Sequence, residues 1–124
     1  MEQSIQEIKI NGQDYVLQSS IANSPAKSTD GLPYVIVRTC SAGVFAGYLV
    51  KRNGQEVEMR NARRLWQWYG AASLSQLSVD GVSRPGDCKF PCEVEKIELM
   101  QAIEVIEATE KCRKSIAAVT VWQA

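Results

Sequence analysis

The alternation of apolar and polar positions predicts a sheet that begins just after residue 32. Residues 34–39 form a short segment rich in β-branched side chains, which is typical of a strand. Residues 44–51 have the pattern expected of a partner strand. Asn53-Gly54 then supplies the two positive-φ positions of a type I′ turn, so we expect a third strand over residues 57–69. Together these segments predict an antiparallel three-stranded meander.

Capping signals predict two short helices. Ser73 followed by Gln76 fits a capping box, and Gly81 is the expected end of that helix. Thr109 can cap a final helix that has one apolar face. That face consists of Cys112, Ile116 and Val119.

The segments between these elements are less regular. Two prolines and a glycine predict an irregular loop over residues 82–92. Residues 93–108 alternate over most positions, which favours strands over a helix, and the polar Gln101 indicates two short strands or a bend. We therefore expect one α+β domain, mainly an antiparallel β-sheet (a meander) with two short helices.

The first 31 residues have a different pattern. Residues 8–17 alternate around Asn11-Gly12, which predicts a small hairpin. Residues 19–31 run through Ser, Asn, Pro, Lys, Thr, Asp and Gly with little apolar content, which predicts a flexible linker. The expected division is a hairpin and linker over residues 1–31 and the main domain over residues 32–124.

Composition removes several classes of chemistry. The chain of 124 residues has 14 basic and 14 acidic residues, so bulk attraction to nucleic acid or an anionic membrane is not expected. It contains no histidine, which excludes Ser-His-Asp catalysis and His-ligated metals. The sequence shows neither a signal-peptide pattern nor an apolar run of roughly 20 residues, so we expect a cytoplasmic protein with free cysteine thiols.

A cationic and aromatic surface is predicted on the third strand. Residues 51–64 hold five basic side chains against two glutamates. Period-two geometry places Arg64, Trp66 and Trp68 on one face and Arg63 on the other. Because a base stacks on an aromatic ring and arginine binds phosphate bidentately, the first face suits a nucleotide. The alternative is that the tryptophans pack in the core or an interface and Arg64 extends over them to solvent.

Two further segments offer anion-binding chemistry. Lys89 and Phe90 place a cation beside a ring on the loop, or Phe90 anchors that loop in the core. The helix start at Thr109 presents free N–H groups, with Arg113 one turn away. The sequence has neither a P-loop nor a dinucleotide-binding glycine pattern, and it supports no catalytic acid–base pair.

Several motifs recur in the order found in one phage family. They are Arg38-Thr-Cys-Ser-Ala-Gly-Val-Phe45, Asn61-Ala-Arg-Arg-Leu-Trp-Gln-Trp68, Ser73-Leu-Ser-Gln-Leu77, Cys88-Lys-Phe90 and Thr109-Glu-Lys-Cys-Arg113, closing on Trp122. Over residues 34–122 the chain resembles the type one phage Thoeris anti-defence sponges. The first 31 residues lie outside the similarity, and Cys112 stands where a small residue such as alanine is expected.

The resemblance implies a non-catalytic protein, without a cofactor, that captures glycocyclic ADP-ribose made by bacterial immune enzymes and thereby silences the downstream effector. Some relatives also hold cyclic trinucleotides in separate pockets, which would extend the block to CBASS effectors. The resemblance further implies dimers, or hexamers built from dimers, with ligands near subunit interfaces in the host cytoplasm. The residues expected to bind the ligand are Arg63, Arg64, Trp68, Lys89, Phe90, Thr109 and Arg113.

Two other functions stay open from the residues alone. A single-stranded nucleic-acid module would use the same stacking face, although net neutrality argues against it, and its affinity would fall steeply with salt. A phage interaction or structural protein would instead bury the tryptophans in an interface.

Overall fold

A five-stranded antiparallel sheet forms the centre of the protein, seen in a computed structural model that describes residues 25–27 and 30–123. The elements are β1 (Tyr34–Thr39), β2 (Val44–Asn53), β3 (Glu56–Arg64), α1 (Leu74–Asp80), β4 (Glu93–Leu99), β5 (Ala102–Glu107) and α2 (Glu110–Ala118). The strand order is β4-β3-β2-β1-β5. The predicted single α+β domain with a meander and two short helices is confirmed, and the hairpin predicted over residues 8–17 lies outside the described residues.

The sheet is strongly curved because its two edge strands are consecutive in the chain. Only two residues separate Leu99, the end of β4, from Ala102, the start of β5. Their Cα atoms therefore lie within about 11 Å, whereas a flat five-stranded sheet would hold its edges about 19 Å apart. The Ala102 amide also donates to the carbonyl of Gln55 in the β2–β3 turn at 3.0 Å. The two edges thus approach each other at this end of the sheet.

The sheet has an apolar cluster on each face, because alternate side chains along a strand point to opposite sides. The first cluster contains Val35, Val37, Phe45, Val57, Met59, Ala62, Leu99 and Ala102, so both edge strands contribute to it. The second cluster, which we call the helix-side cluster, includes Tyr34, Ile36, Leu65, Leu77, Phe90, Cys112 and Ile116. The two helices cover this second face.

Both predicted helix starts are confirmed by their caps. The hydroxyl of Ser73 accepts a hydrogen bond from the Gln76 amide at 3.1 Å. The hydroxyl of Thr109 accepts one from the Cys112 amide, also at 3.1 Å. Each cap satisfies a helix N–H that has no partner within the helix.

Residues 25–27, which the sequence assigns to a linker, pack against the domain. Ala26 is buried. Its amide donates to the Ala108 carbonyl at 3.0 Å, and its carbonyl accepts from the Tyr34 amide at 2.8 Å. This part of the predicted linker therefore holds the first residue of β1 next to the start of α2.

A bulge in β3 decides which arginine faces the helices. On β2, Ala46 pairs with Arg63 and Tyr48 pairs with Arg60. Two residues of β3, Asn61 and Ala62, therefore lie opposite the single β2 residue 47. The bulge is possible because Asn61 adopts a φ of 52°. It reverses the alternation of the strand, so that Arg63 turns toward the helices.

Asn61→Val is expected to lower the free energy of unfolding by about 1–2 kcal/mol, because a β-branched residue fits poorly at positive φ. Asn61→Gly, which adopts that conformation without strain, is the matched control and should cost clearly less. Urea unfolding of both variants measures the difference. Equal costs would show that the backbone at this position does not hold the bulge.

The third strand, predicted to run to residue 69, ends at Arg64, and the prediction is wrong beyond that point. Its partner β2 begins at Val44, so later residues have no neighbouring strand on that side to pair with. Trp66 and Trp68 therefore do not share a face as expected. Trp66 is 63% exposed, whereas Trp68 packs against the helix-side cluster.

Candidate ligand-binding site

A cavity of about 250 Å³ opens beside α2 on the helix-covered side of the sheet. Its polar lining consists of Tyr34, Tyr48, Arg63, Glu93 and Arg113, and apolar residues of α2 and the segment after it complete the wall. The β1–β2 register sets Tyr34 opposite Tyr48, with ring centroids 5.0 Å apart and an edge-on geometry. We call this feature the tyrosine–arginine cavity.

Arg63 is buried, and its guanidinium binds four main-chain carbonyls. Nε donates to Pro91 at 2.8 Å and Nη1 to Ile116 at 2.7 Å. Nη2 donates to Phe90 at 3.1 Å and to Val119 at 2.7 Å. Arginine has five N–H donors, so one is left for a ligand. Arg63 therefore ties the end of α2 to the sheet and contributes mainly charge to the cavity.

The charge of Arg63 is not neutralised through these bonds, because all four acceptors are neutral carbonyls. Burial lowers the pKa of Arg63, and the nearby Tyr34, Glu93 and Cys92 oppose that shift. Arginine stays protonated in proteins even so. The cavity wall thus carries a buried positive charge that favours an anionic ligand.

Arg113 lies on the first turns of α2 and is paired with Glu110. Its Nε donates to Glu110 Oε1 at 2.9 Å, and Nη2 makes a second bond to Oε2 of the same carboxylate. The hydrogen bond to Arg113 lowers the pKa of Glu110, and the same bond raises the pKa of Arg113. Both groups stay charged near neutral pH, so an incoming anion would share Arg113 with Glu110 or replace it.

A second feature, the indole platform, is formed by Trp66 and Trp122. Their rings are stacked with centroids 6.2 Å apart and an interplanar angle of 14°. Lys89 Nζ lies 5.6 Å from the Trp122 ring centroid. A shallow groove of about 220 Å³ beside Trp66 is lined in part by Arg64. Exposed aromatic faces next to cations can stack a nucleobase.

The cavity and the platform share one chain segment. Val119 and Val121 line the cavity, and Trp122 follows directly. The Trp122 amide donates to the Phe90 carbonyl at 2.9 Å, and Arg63 binds the same carbonyl. The segment after α2 therefore contributes residues to both features.

The seven residues predicted to bind a ligand fall in three places. Arg63 and Arg113 line the cavity. Arg64 and Lys89 are exposed beside the platform. Trp68, Phe90 and Thr109 hold the fold instead, because the first two pack in the helix-side cluster and the third caps α2 and donates to the Val79 carbonyl. For Phe90 the structure thus agrees with the alternative interpretation, a loop anchor.

Sequence reasoning missed four residues of these two features: Tyr34, Tyr48, Glu93 and Trp122. One signal could have identified the tyrosines. A β1–β2 hairpin centred on residue 41 pairs residue 34 with residue 48, as the structure shows. The position of Trp122 depends on long-range contacts with Phe90 and Trp66, for which the sequence carries no local signal.

Fold and cavity define a small α+β domain with two arginines at a partly enclosed site. The model of a family described as "Domain of unknown function (DUF6948)" matches residues 32–116. The chain belongs to this family. No curated protein and no solved structure matches the chain. Among the residues that the structure describes, no helix is long and apolar enough to cross a bilayer.

Proposed function

We propose that the protein binds and sequesters a cyclic nucleotide immune signal, chiefly glycocyclic ADP-ribose, and blocks activation of the Thoeris effector in the host bacterial cytoplasm. The motif resemblance over residues 34–122 supports this function. The observation that carries it is that one chain segment, residues 119–122, contributes to both the tyrosine–arginine cavity and the indole platform. A ring molecule with two phosphates and an adenine needs positive charge and an aromatic surface side by side.

The size of the cavity bears on how the ligand would be held. Pockets for small molecules usually measure about 300–1,000 Å³, and this cavity has about 250 Å³. It can take the phosphates, while the rest of the ligand extends over the platform or is enclosed by a second copy of the chain. The proposal therefore includes a homo-oligomer, either a dimer or a hexamer built from dimers. A cyclic trinucleotide would need a separate site, and its sequestration would block activation of CBASS effectors.

Sequestration requires affinity and no bond cleavage. Nanomolar binding corresponds to about 12 kcal/mol, which a preformed site can reach when ordering costs are small. Arg63 is held in place by four hydrogen bonds before any ligand arrives. This pre-organisation favours tight, reversible binding by a protein that is not an enzyme.

The direct test is ligand retention and release. The protein is incubated with glycocyclic ADP-ribose, free ligand is removed by gel filtration, and the protein is then heated. Mass spectrometry of the released fraction should find intact ligand in stoichiometric amount, and native mass measurement should find an oligomer. A cleaved product would indicate an enzyme, and no retention would rule out sequestration of this signal.

Arg113→Gln should weaken binding of glycocyclic ADP-ribose by about 10–100-fold, because a charge-assisted hydrogen bond contributes about 1.5–3 kcal/mol. Arg84→Gln is the matched control, since Arg84 also forms an ion pair three residues away, with Asp87 at 2.7 Å. Calorimetry measures the affinity of both variants. A loss confined to Arg113→Gln shows that the charge at the cavity matters and not merely the removal of an arginine. Equal affinities would place the ligand elsewhere.

A single-stranded nucleic-acid module is the second candidate, and the exposed, stacked indoles with Lys89 favour it. It predicts binding of a short oligonucleotide whose affinity falls steeply between low and physiological salt. Fluorescence anisotropy over a salt series measures this dependence. Absence of binding, or an affinity that does not change with salt, would exclude this function.

A further inference from the structure

The hydroxyl of Tyr34 is a polar group on a buried residue, and no described residue forms a hydrogen bond with it. Tyr34 is only 6% exposed and lines the tyrosine–arginine cavity. Within the described part of the chain, its hydroxyl oxygen makes no hydrogen bond, although its amide and carbonyl are bonded to Ala26 and Ala108. The ring packs edge-on against Tyr48, a contact that a phenylalanine would make equally well.

A buried hydroxyl that makes no hydrogen bond within the described residues is free to bond to a molecule in the cavity that Tyr34 lines. Burial raises the pKa of Tyr34, and the neighbouring Cys112, Tyr48 and Glu93 raise it further, while Arg113 lowers it. The hydroxyl is therefore protonated near neutral pH and available as a hydrogen-bond donor.

The surroundings of Tyr34 favour an acceptor with negative charge. Tyr48, Arg63 and Arg113 also line the cavity and carry hydrogen-bond donors, and Ile116 and Val119 supply apolar walls. Glu93 also lines the cavity, but it is exposed, so water and salt screen its charge. Four donor-bearing residues around one small space suit an anionic oxygen of a phosphate group.

We infer that Tyr34 determines the specificity of this cavity by donating a hydrogen bond from its hydroxyl to a phosphate oxygen of the bound ligand. The inference rests on the proposed function only for the identity of the whole ligand. The phosphate chemistry of the cavity can be tested without the signal molecule, because inorganic pyrophosphate carries the same oxygens.

Pyrophosphate binding to the full chain is measured by calorimetry for wild type, Tyr34→Phe and Tyr69→Phe. Tyr34→Phe should weaken binding by about tenfold or more, the value of one charge-assisted hydrogen bond. Tyr69→Phe removes the hydroxyl of an exposed tyrosine outside the cavity and should leave affinity unchanged. The thermal midpoint of Tyr34→Phe should be no lower than that of wild type, because the variant removes an unbonded hydroxyl.

A second measurement does not depend on the variant folding. In wild-type protein with ¹³C at the hydroxyl-bearing carbon of its four tyrosines, the Tyr34 signal should shift on titration with the affinity found by calorimetry. Unchanged pyrophosphate affinity in Tyr34→Phe, or a Tyr34 signal that does not move at saturation, would overturn the inference.

The two proposals can fail separately. Retained glycocyclic ADP-ribose with equal affinity in wild type and Tyr34→Phe would overturn the role of Tyr34 and leave sequestration intact. Pyrophosphate binding that depends on Tyr34, without retention of the cyclic nucleotide, would support the phosphate site and overturn the proposed signal.

Discussion

Arg63→Ala is expected to lower the free energy of unfolding by about 3–5 kcal/mol. The substitution removes a hydrogen-bond donor from four carbonyls. Two of them keep a second donor, because the Ile116 carbonyl also accepts from the Val119 amide and the Phe90 carbonyl from the Trp122 amide. The carbonyls of Pro91 and Val119 have no other donor in the described part of the chain. Loss of these hydrogen bonds should also release the segment after α2, so that Trp122 separates from Trp66.

Arg64→Ala is the matched control, because it removes the same side chain from the adjacent residue. Arg64 is exposed, and its guanidinium carbon lies 4.6 Å from the Phe45 ring centroid. An exposed cation–π contact contributes about 0.5–1 kcal/mol. Urea unfolding followed by tryptophan fluorescence should therefore separate the two variants by several kcal/mol. Similar costs would mean that the carbonyl contacts of Arg63 do not hold the C-terminal segment.

A loss of ligand binding in an Arg63 variant has two possible causes, loss of the fold and loss of the site. A variant that loses both the fold and the ligand does not locate a binding site. Arg113 is the better probe, because within the described residues its guanidinium is bonded to the Glu110 side chain and to no main-chain carbonyl. The buried positive charge of Arg63 still acts on the cavity, but its removal has a structural effect first.

Local signals predict most of the strands and helices after residue 32, but they do not determine how the edge strands pair. Asn53-Gly54 predicted the β2–β3 turn, and Gln101 marked the break between β4 and β5. The alternation over residues 93–108 indicates strands but contains nothing about their partners. The structure places β4 beside β3 and β5 beside β1, on opposite edges. That arrangement brings Leu99 and Ala102 into one cluster, a long-range contact that the local pattern does not contain.

For the candidate site, the sequence predicts arginines and indoles, and the structure places several of these side chains differently from the expectation. Arg63 and Arg64 are neighbours of the same type, and which of them is buried depends on the bulge at Asn61. Trp66 and Trp68 were expected to act together, yet β3 ends before both of them. Spacing within an isolated strand cannot reveal a one-residue bulge, because the bulge is defined by its pairing with β2.

Gly81→Ala is expected to lower the free energy of unfolding by about 3–5 kcal/mol, from two causes. Gly81 ends α1 with φ 76° and ψ −154°, a conformation essentially confined to glycine. A Cβ atom there would lie 2.3 Å from Cβ of Ser115 on α2. Ser115 cannot simply move away, because its hydroxyl accepts a hydrogen bond from the Val82 amide at 2.9 Å.

Gly54→Ala measures the cost of backbone strain without a steric clash, because Gly54 has φ 63° and an added Cβ would meet no atom within 4 Å. That variant should cost about 1 kcal/mol, and Gly86→Ala, without positive φ or a nearby atom, should cost less. Urea unfolding measures the ranking of the three variants by free energy of unfolding. Gly81→Ala should also weaken pyrophosphate binding, because the clash displaces α2, which carries Arg113. If Gly81→Ala costs no more than Gly54→Ala, α1 and α2 can separate freely. Contact between the helices would then not be what holds Arg113 at the cavity.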